Sequence, residues 1–382
     1  MLALFFLFAT IAHAIVVSGP SGPWRVSHRV VELTDESRWD PYASETSPHK
    51  RRILTSFFLP IHGGHQGCKL DRVDYLPPLT VEAYGKVASG LGLPNTTFEG
   101  FELEFCKASS KKQPPLPVVI FSPGFSGSRL LSSAQAQSLA SQGNVVITVD
   151  HPYEATVVEF PDGTAVYGSI GDEVDEETIE KAARVRSQDV SFLIDQISEP
   201  SNLPGDLDRR LDTSKIFVYG HSIGGAASAL VAFNDARVLG GLNLDGLLRG
   251  PVSEAGLDVP FFIIGAESTA NATSNYGGFM DKLRGVKMLL TIDGTEHLSF
   301  FDVPLLLSLR DDLPPDLKPA IAALFGTTPV KRVAAIVNDI LGTVTSFLFK
   351  GKVEPFCQVE DRISEAVIVE MDLKGACSDK AS

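Results

Sequence analysis

The sequence predicts an α/β protein built on a mainly parallel sheet with helices on both faces. Three observations lead there. Short unbroken apolar runs recur along the chain, as strands buried on both faces require. Stretches of helical length and pattern separate them. One strand-to-helix junction carries Gly220-His221-Ser222-Ile223-Gly224, a G-x-S-x-G sequence. A chain of 382 residues with 44% hydrophobic and 21% charged residues can bury a sizeable core. Its net charge of −14 argues against nucleic acid or a strongly anionic membrane as the main partner.

The elements follow in order. Residues 1–12 are continuously apolar, and Ala12-His13-Ala14 is an A-x-A cleavage pattern, so residues 1–14 read as a signal peptide. No Lys or Arg precedes the apolar run, which falls well short of the ~20 residues needed to span a bilayer. Cleavage is expected after Ala14 or a few residues later, and the mature protein is expected to be secreted. Residues 15–50, polar and rich in Pro and Ser, are expected to form an irregular leader. Residues 51–350 read as one catalytic domain, and residues 351–382 as a tail.

Within the domain, residues 55–61, 117–122 and 144–150 are strand candidates, with a helix over 134–141 making one βαβ unit. Acidic residues at 172–177 open a long amphipathic helix to about residue 197, with the charges where the helix dipole favours them. Residues 200–214 read as a surface connection. A strand at 215–219 and an Ala-rich helix at 223–233 flank the serine. Further strands are expected at 238–244, 259–265 and 286–293. In the segment 329–350 apolar residues recur at helical spacing, while Lys331, Arg332 and Asp339 exclude a membrane span. A core-packed final helix is expected, with a lipid-interface face as the alternative.

Four cysteines allow three pairings. The nearest-neighbour pairs Cys68–Cys106 and Cys357–Cys377 close short loops and are preferred. No C-x-x-C occurs, which argues against a metal site. Asn95 and Asn271 open N-glycosylation sequons that matter only in a secretory pathway.

A serine on so tight a turn, next to the positive end of a helix, is placed to act as a nucleophile, the arrangement of the α/β-hydrolase fold. That fold orders its partners Ser, then Asp or Glu, then His. Of the eight histidines only His297 follows Ser222, which selects it as the base. Asp245, at the end of one strand, and Glu267, just past the next, both remain candidates for the acid. Oxyanion donors are expected from the amides of Ile223 and of Phe125, the latter in the loop Ser122-Pro123-Gly124-Phe125. His151 reads as pocket lining or as plain loop structure.

These residues resemble the platelet-activating factor acetylhydrolases, the lipoprotein-associated type of phospholipase A2. Gly220-His221-Ser222-Ile223-Gly224-Gly225 resembles the family's G-H-S-x-G-G, and Phe121-Ser122-Pro123-Gly124-Phe125 its F-S-x-G-[LF]. Leu244-Asp245 matches its L-D, and His297 to Asp302 fits its H-x-x-F-x-D. Weaker similarity runs from about residue 40 to 350. Pro123, Ile223, the two cysteine pairs and the tail depart from the pattern. The resemblance implies Asp245 as the acid. It also implies hydrolysis of short or oxidised sn-2 acyl esters of phospholipids without calcium. No metal or organic cofactor is implied. The other readings are a general secreted carboxylesterase or cutinase-like polyesterase, and a non-catalytic binding protein on the same fold.

Overall fold

The computed structural model describes residues 14–61, 68–107, 114–170, 174–205, 207–270, 274–375 and 377. The signal-peptide reading and the Asn271 sequon therefore lie almost wholly outside the described residues.

The central sheet has nine strands: β1 (Arg25–Trp39), β2 (Lys50–Ile61), β3 (Leu116–Ser122), β4 (Val145–Asp150), β5 (Leu211–His221), β6 (Val238–Leu244), β7 (Phe261–Ala266), β8 (Lys287–Ile292) and β9 (Ala366–Asp372). Their spatial order is β9-β8-β7-β6-β5-β3-β4-β2-β1. The six strands from β4 to β8 in that order are mutually parallel. β9 pairs antiparallel with β8 at one edge, and β2 and β1 run antiparallel at the other. The main helices are α1 (Pro78–Gly90), α2 (Ser133–Ala140), α3 (Glu176–Ser198), α4 (Ile223–Asn234) and α5 (Val330–Lys350).

Because side chains alternate across a strand, the apolar runs feed both faces. In β3, Val118 and Ile120 join the cluster under α3 and α4, while Val119 and Phe121 join the one under α2 and α5. β5 divides likewise, with Val218 on one side and Phe217 and Tyr219 on the other. Each such side chain contributes roughly 1.5–3 kcal/mol on burial, so the parallel core dominates the fold's stability.

The expected leader is corrected. β1 lies within the stretch 15–50 for which composition predicts an irregular leader, because its polar content belongs to one face of an edge strand. Val31, Leu33 and Asp35 point inward and are buried, whereas Glu32 and Thr34 between them are exposed. Ile15–Val16 joins Phe101–Cys106 and Leu70–Asp74 in a small separate sheet. The expected tail is corrected too, since β9 extends the central sheet. Cys68–Cys106 and Cys357–Cys377 are both disulfide-bonded, as the nearest-neighbour pairing anticipates.

The segment from Pro315 to Lys350 is long and apolar enough, by composition, to cross a membrane. It is broken at Gly326, which takes φ +80°. Val333, Ile336, Val337, Ile340, Leu341 and Val344 of α5 pack into the core, so the stripe of α5 is covered, whereas only Phe325 is buried in the short helix Lys318–Phe325 before it.

Under the sheet's C-terminal edge lies a buried ionic network. Arg51 on β2, fully buried, bonds Asp189 of α3 through Nη2 at 2.7 Å and Nε at 3.1 Å. It also reaches Asp40 and the carbonyl of Pro152, each at 3.1 Å. Asp189 accepts in addition from His151 Nδ1 at 2.9 Å and Arg38 at 2.9 Å. Removing one partner of such a buried pair strands the other charge. Asp189→Ala should therefore cost about 3–5 kcal/mol in urea unfolding, and a loss under 1 kcal/mol would contradict that account.

Candidate active site

The residues singled out by sequence converge at the C-terminal ends of the parallel strands, where open α/β sheets place their ligand sites. Ser222 follows β5, at the middle of the sheet. Phe125 follows β3 and Asp245 follows β6, the two neighbours of β5. His297 lies in the connection after β8, in the short 3₁₀ turn His297–Phe300.

Ser222 has φ +56° and ψ −125°, a region that a residue with a side chain occupies only when its surroundings hold it there. Its N–H donates to Leu244 O at 2.8 Å, and its carbonyl accepts from Gly225 N–H at 2.9 Å. Serine at a helix start usually caps the helix with its hydroxyl. Here the Ser222 side chain forms no cap bond with α4, and the residue lines a cavity instead.

The neighbouring glycines are demanded by close approach. A Cβ on Gly220 would sit 2.2 Å from the carbonyl of Gly224. One on Gly224 would sit 2.1 Å from Ser122 O. The turn is thus pressed directly onto the end of β3, which is what brings the 123–127 loop beside Ser222. Gly124 obeys the same constraint, since its Cβ would lie 2.9 Å from His221 Nδ1 and 3.4 Å from Ser222 Cβ.

Asp245 Oδ2 accepts from His297 Nδ1 at 2.6 Å and from Thr269 Oγ1 at 3.0 Å. Its Oδ1 accepts from Ala266 N–H at 2.8 Å. The carboxylate is fully buried, while the His297 ring is 43% exposed. Glu267 points elsewhere: its Oε2 accepts from Gly294 N–H at 2.7 Å. The geometry thus pairs His297 with Asp245.

His221 braces the same loop. Its Nε2 lies 2.8 Å from His297 O and donates to it, and its ring stacks on Phe301. Burial, with a smaller effect from His297, lowers its pKa to about 4, so the ring is neutral at pH 7.

A cavity of 320 Å³ opens onto Ser222 and His297, with an almost wholly apolar wall. Tyr84, Val87, Ala88 and Leu91, from α1 and just beyond it, line it together with Leu93, Phe98, Leu298 and Phe301. Sequence reasoning missed the α1 wall, although Pro78 at the helix start and Gly90 at its end are the signals that mark it. A second cavity of 360 Å³ meets the first at Phe125, Ser222 and His297 and includes Ile223 and Arg249.

His151 lines neither cavity. With Ser122 (Oγ to Nε2, 3.0 Å) and Asp189 it makes a second Ser–His–Asp chain, fully buried and part of the ionic network. Among the described residues no group of three or more His, Cys, Asp or Glu side chains converges for a metal ion. Asn95 is exposed.

Fold and family together define a serine ester hydrolase on an α/β-hydrolase fold. The chain belongs to the family described as platelet-activating factor acetylhydrolase, isoform II, whose model matches residues 83–192 and 200–309. A protein of Arthroderma benhamiae named as a probable 1-alkyl-2-acetylglycerophosphocholine esterase is 28% identical over 369 residues, covering 91% of each chain. The platelet-activating factor acetylhydrolase of Cavia porcellus is 31% identical over 216 residues, 49% of this chain and 48% of that protein. Among solved structures, the ferulic acid esterase from Streptomyces cinnamoneus superposes with a TM-score of 0.76 at 26% identity, covering 93% of this chain and 99% of that one.

The depressed pKa of His221 makes stability depend on pH. Unfolded, the imidazole titrates near 6.5. Between that value and about 4 the unfolded chain holds a proton that the folded chain does not, so the stabilisation is complete above about 6.5 and lost as pH falls toward 4. Melting temperature should drop across this window, and His221→Asn should flatten the drop. An unchanged slope in the variant would refute the assignment.

Proposed function

We propose that the chain is a secreted esterase that removes short sn-2 acyl groups from phospholipids through Ser222, His297 and Asp245. One observation carries the reading: the 2.6 Å bond from His297 Nδ1 to buried Asp245, beside the strained Ser222, at the mouth of an apolar cavity. With Nδ1 bonded to Asp245, Nε2 is the free base. It takes the Ser222 proton as Oγ attacks the ester carbonyl, and Asp245 stabilises the imidazolium that forms. The amides of Phe125 and Ile223 receive the oxyanion, each donor contributing about 3 kcal/mol to the transition state. His297 then gives the proton to the departing alcohol, leaving an acyl ester on Ser222. Water, deprotonated by His297, releases the acid and restores the serine.

The fungal relative matches over nearly its whole length and is named for a phospholipid acetyl ester, which favours the phospholipid substrate. The apolar wall of the cavity suits the lipid part. The two disulfides and the apolar N-terminus support an extracellular location, where Asn95 would be open to glycosylation. A second reading, a general secreted carboxylesterase or polyesterase, is favoured by the likeness to a ferulic acid esterase along 93% of the chain.

A substrate panel on the mature protein separates the two. A 2-acetyl phospholipid should turn over with higher kcat/KM than feruloyl, simple aryl or polyester substrates, and the reverse order would transfer the assignment to the second reading. An organophosphonate should label Ser222, and failure to label would favour a non-catalytic binding protein.

Ser222→Ala should abolish hydrolysis while leaving the thermal melt in place. Asp245→Asn should lower kcat by a factor on the order of 10⁴, because the imidazole loses its orienting acceptor. Glu267→Gln should stay within a few-fold of the parent enzyme. If Glu267→Gln proved the more damaging change, the acid would have to be reassigned.

A further inference from the structure

Among the buried cations that the mechanism above does not use, one touches the loop carrying Phe125. Arg186 sits on the inner face of α3, fully buried, directly behind the 123–127 loop. Its Nε bonds Glu154 Oε2 at 2.6 Å, and Glu154 is itself buried in the turn after β4. Its Nη1 donates to Pro123 O, and its Nη2 to Gly124 O at 3.3 Å. One guanidinium therefore grips two consecutive peptide carbonyls of the loop that carries Phe125.

We propose that Arg186 is a positioning residue for the oxyanion site, holding the Gly124–Phe125 peptide so that the Phe125 N–H faces the cavity. This rests on the reading of Ser222 as nucleophile and Phe125 N–H as donor. In a planar trans peptide the C=O of one residue and the N–H of the next point in opposite directions. A fork that holds Gly124 O behind the loop thereby turns the Phe125 N–H to the front. The rest of the loop agrees. Gly127 N–H also bonds Gly124 O at 3.0 Å. Ser126 O accepts from Tyr84 Oη at 2.7 Å and from Thr156 N–H at 3.2 Å.

The side-chain type matters as much as the charge. Arginine presents several donors in one rigid plane, so Glu154 and the two carbonyls are held at fixed mutual angles. A lysine ammonium has the charge but no fork. A cation on the Gly124 carbonyl also polarises that amide and strengthens its N–H as a donor. Glu154 completes the device by fixing the guanidinium from the opposite side.

The test uses a matched pair of substrates, p-nitrophenyl acetate and its thionoacetate, in which sulfur replaces the carbonyl oxygen. Both need Ser222, but sulfur is a poor hydrogen-bond acceptor and gains little from the oxyanion amides. Wild-type enzyme should hydrolyse the oxygen ester much faster than the thionoester. Arg186→Lys should lower kcat for the oxygen ester by about 10- to 100-fold, the range expected when a donor is misplaced by an ångström or less. KM should change little, and the oxygen-to-thiono rate ratio should shrink. The double variant Arg186→Met/Glu154→Gln, which leaves no stranded charge, should behave alike and covers the case in which Arg186→Lys fails to fold.

Equal losses for both substrates in a folded variant would overturn the proposal and leave Arg186 a structural ion pair. So would an unchanged ratio in Arg186→Lys. A wild-type enzyme whose hydrolysis survives Ser222→Ala would instead sink the underlying functional reading, and the proposal with it.

Discussion

The site depends first on how closely the turn at Ser222 is pressed onto the end of β3. The carbonyl of Ser122 lies where a Cβ on Gly224 would have to go, and the Gly224 carbonyl lies where one on Gly220 would go. That contact keeps Ser222 at a positive φ and denies its hydroxyl the usual role of helix cap. It also sets the distance between the serine and the loop carrying Phe125. Any side chain at either glycine would separate the two. The strain at Ser222 is thus a consequence of packing, held by the parallel strands on either side.

A second layer of order comes from charge. Above the strand ends the wall of the 320 Å³ cavity is apolar; beneath them Arg51, Arg186, Asp189 and Glu154 form ion pairs out of contact with solvent. Buried pairs of this kind are costly to assemble and contribute little net stability compared with apolar packing. Their value here is directional, because hydrogen-bonded ions hold loops at fixed angles where apolar contacts would let them slide. The two Ser–His–Asp chains make the contrast plain. Ser122, His151 and Asp189 have suitable chemistry but are sealed inside the network. Ser222 and His297 meet a cavity. Access, rather than residue type, separates the two.

The comparisons divide along the same lines. The family match covers the six parallel strands and most of α3 and ends at residue 309, before α5 and β9. The fungal relative and the Streptomyces structure extend over more than nine-tenths of the chain. The strands that carry Ser222, Asp245 and His297 lie in the part all of them share. The C-terminal edge strand and its disulfide lie in the part that the narrower match omits.

Much of this was legible in the sequence, for physical reasons that can be named. Parallel strands buried on both faces must be short apolar runs, so β3 to β8 were visible as such. A nucleophile on a sharp turn needs glycines beside it, and a single downstream histidine left one candidate base. The edge strands were not visible, because a strand with one wet face mixes polar and apolar residues; composition predicts an irregular leader at β1 and a tail at β9. The choice between Asp245 and Glu267 was open from spacing alone, as both follow strands at the same edge. The family resemblance favours Asp245, but the contacts themselves, Glu267 on the Gly294 amide and Asp245 on His297, exist only in the folded chain. The α1 wall of the cavity and the grip of Arg186 on the Phe125 loop were likewise beyond the sequence. Each depends on residues far apart in the chain meeting across the sheet, and local pattern carries no record of such meetings.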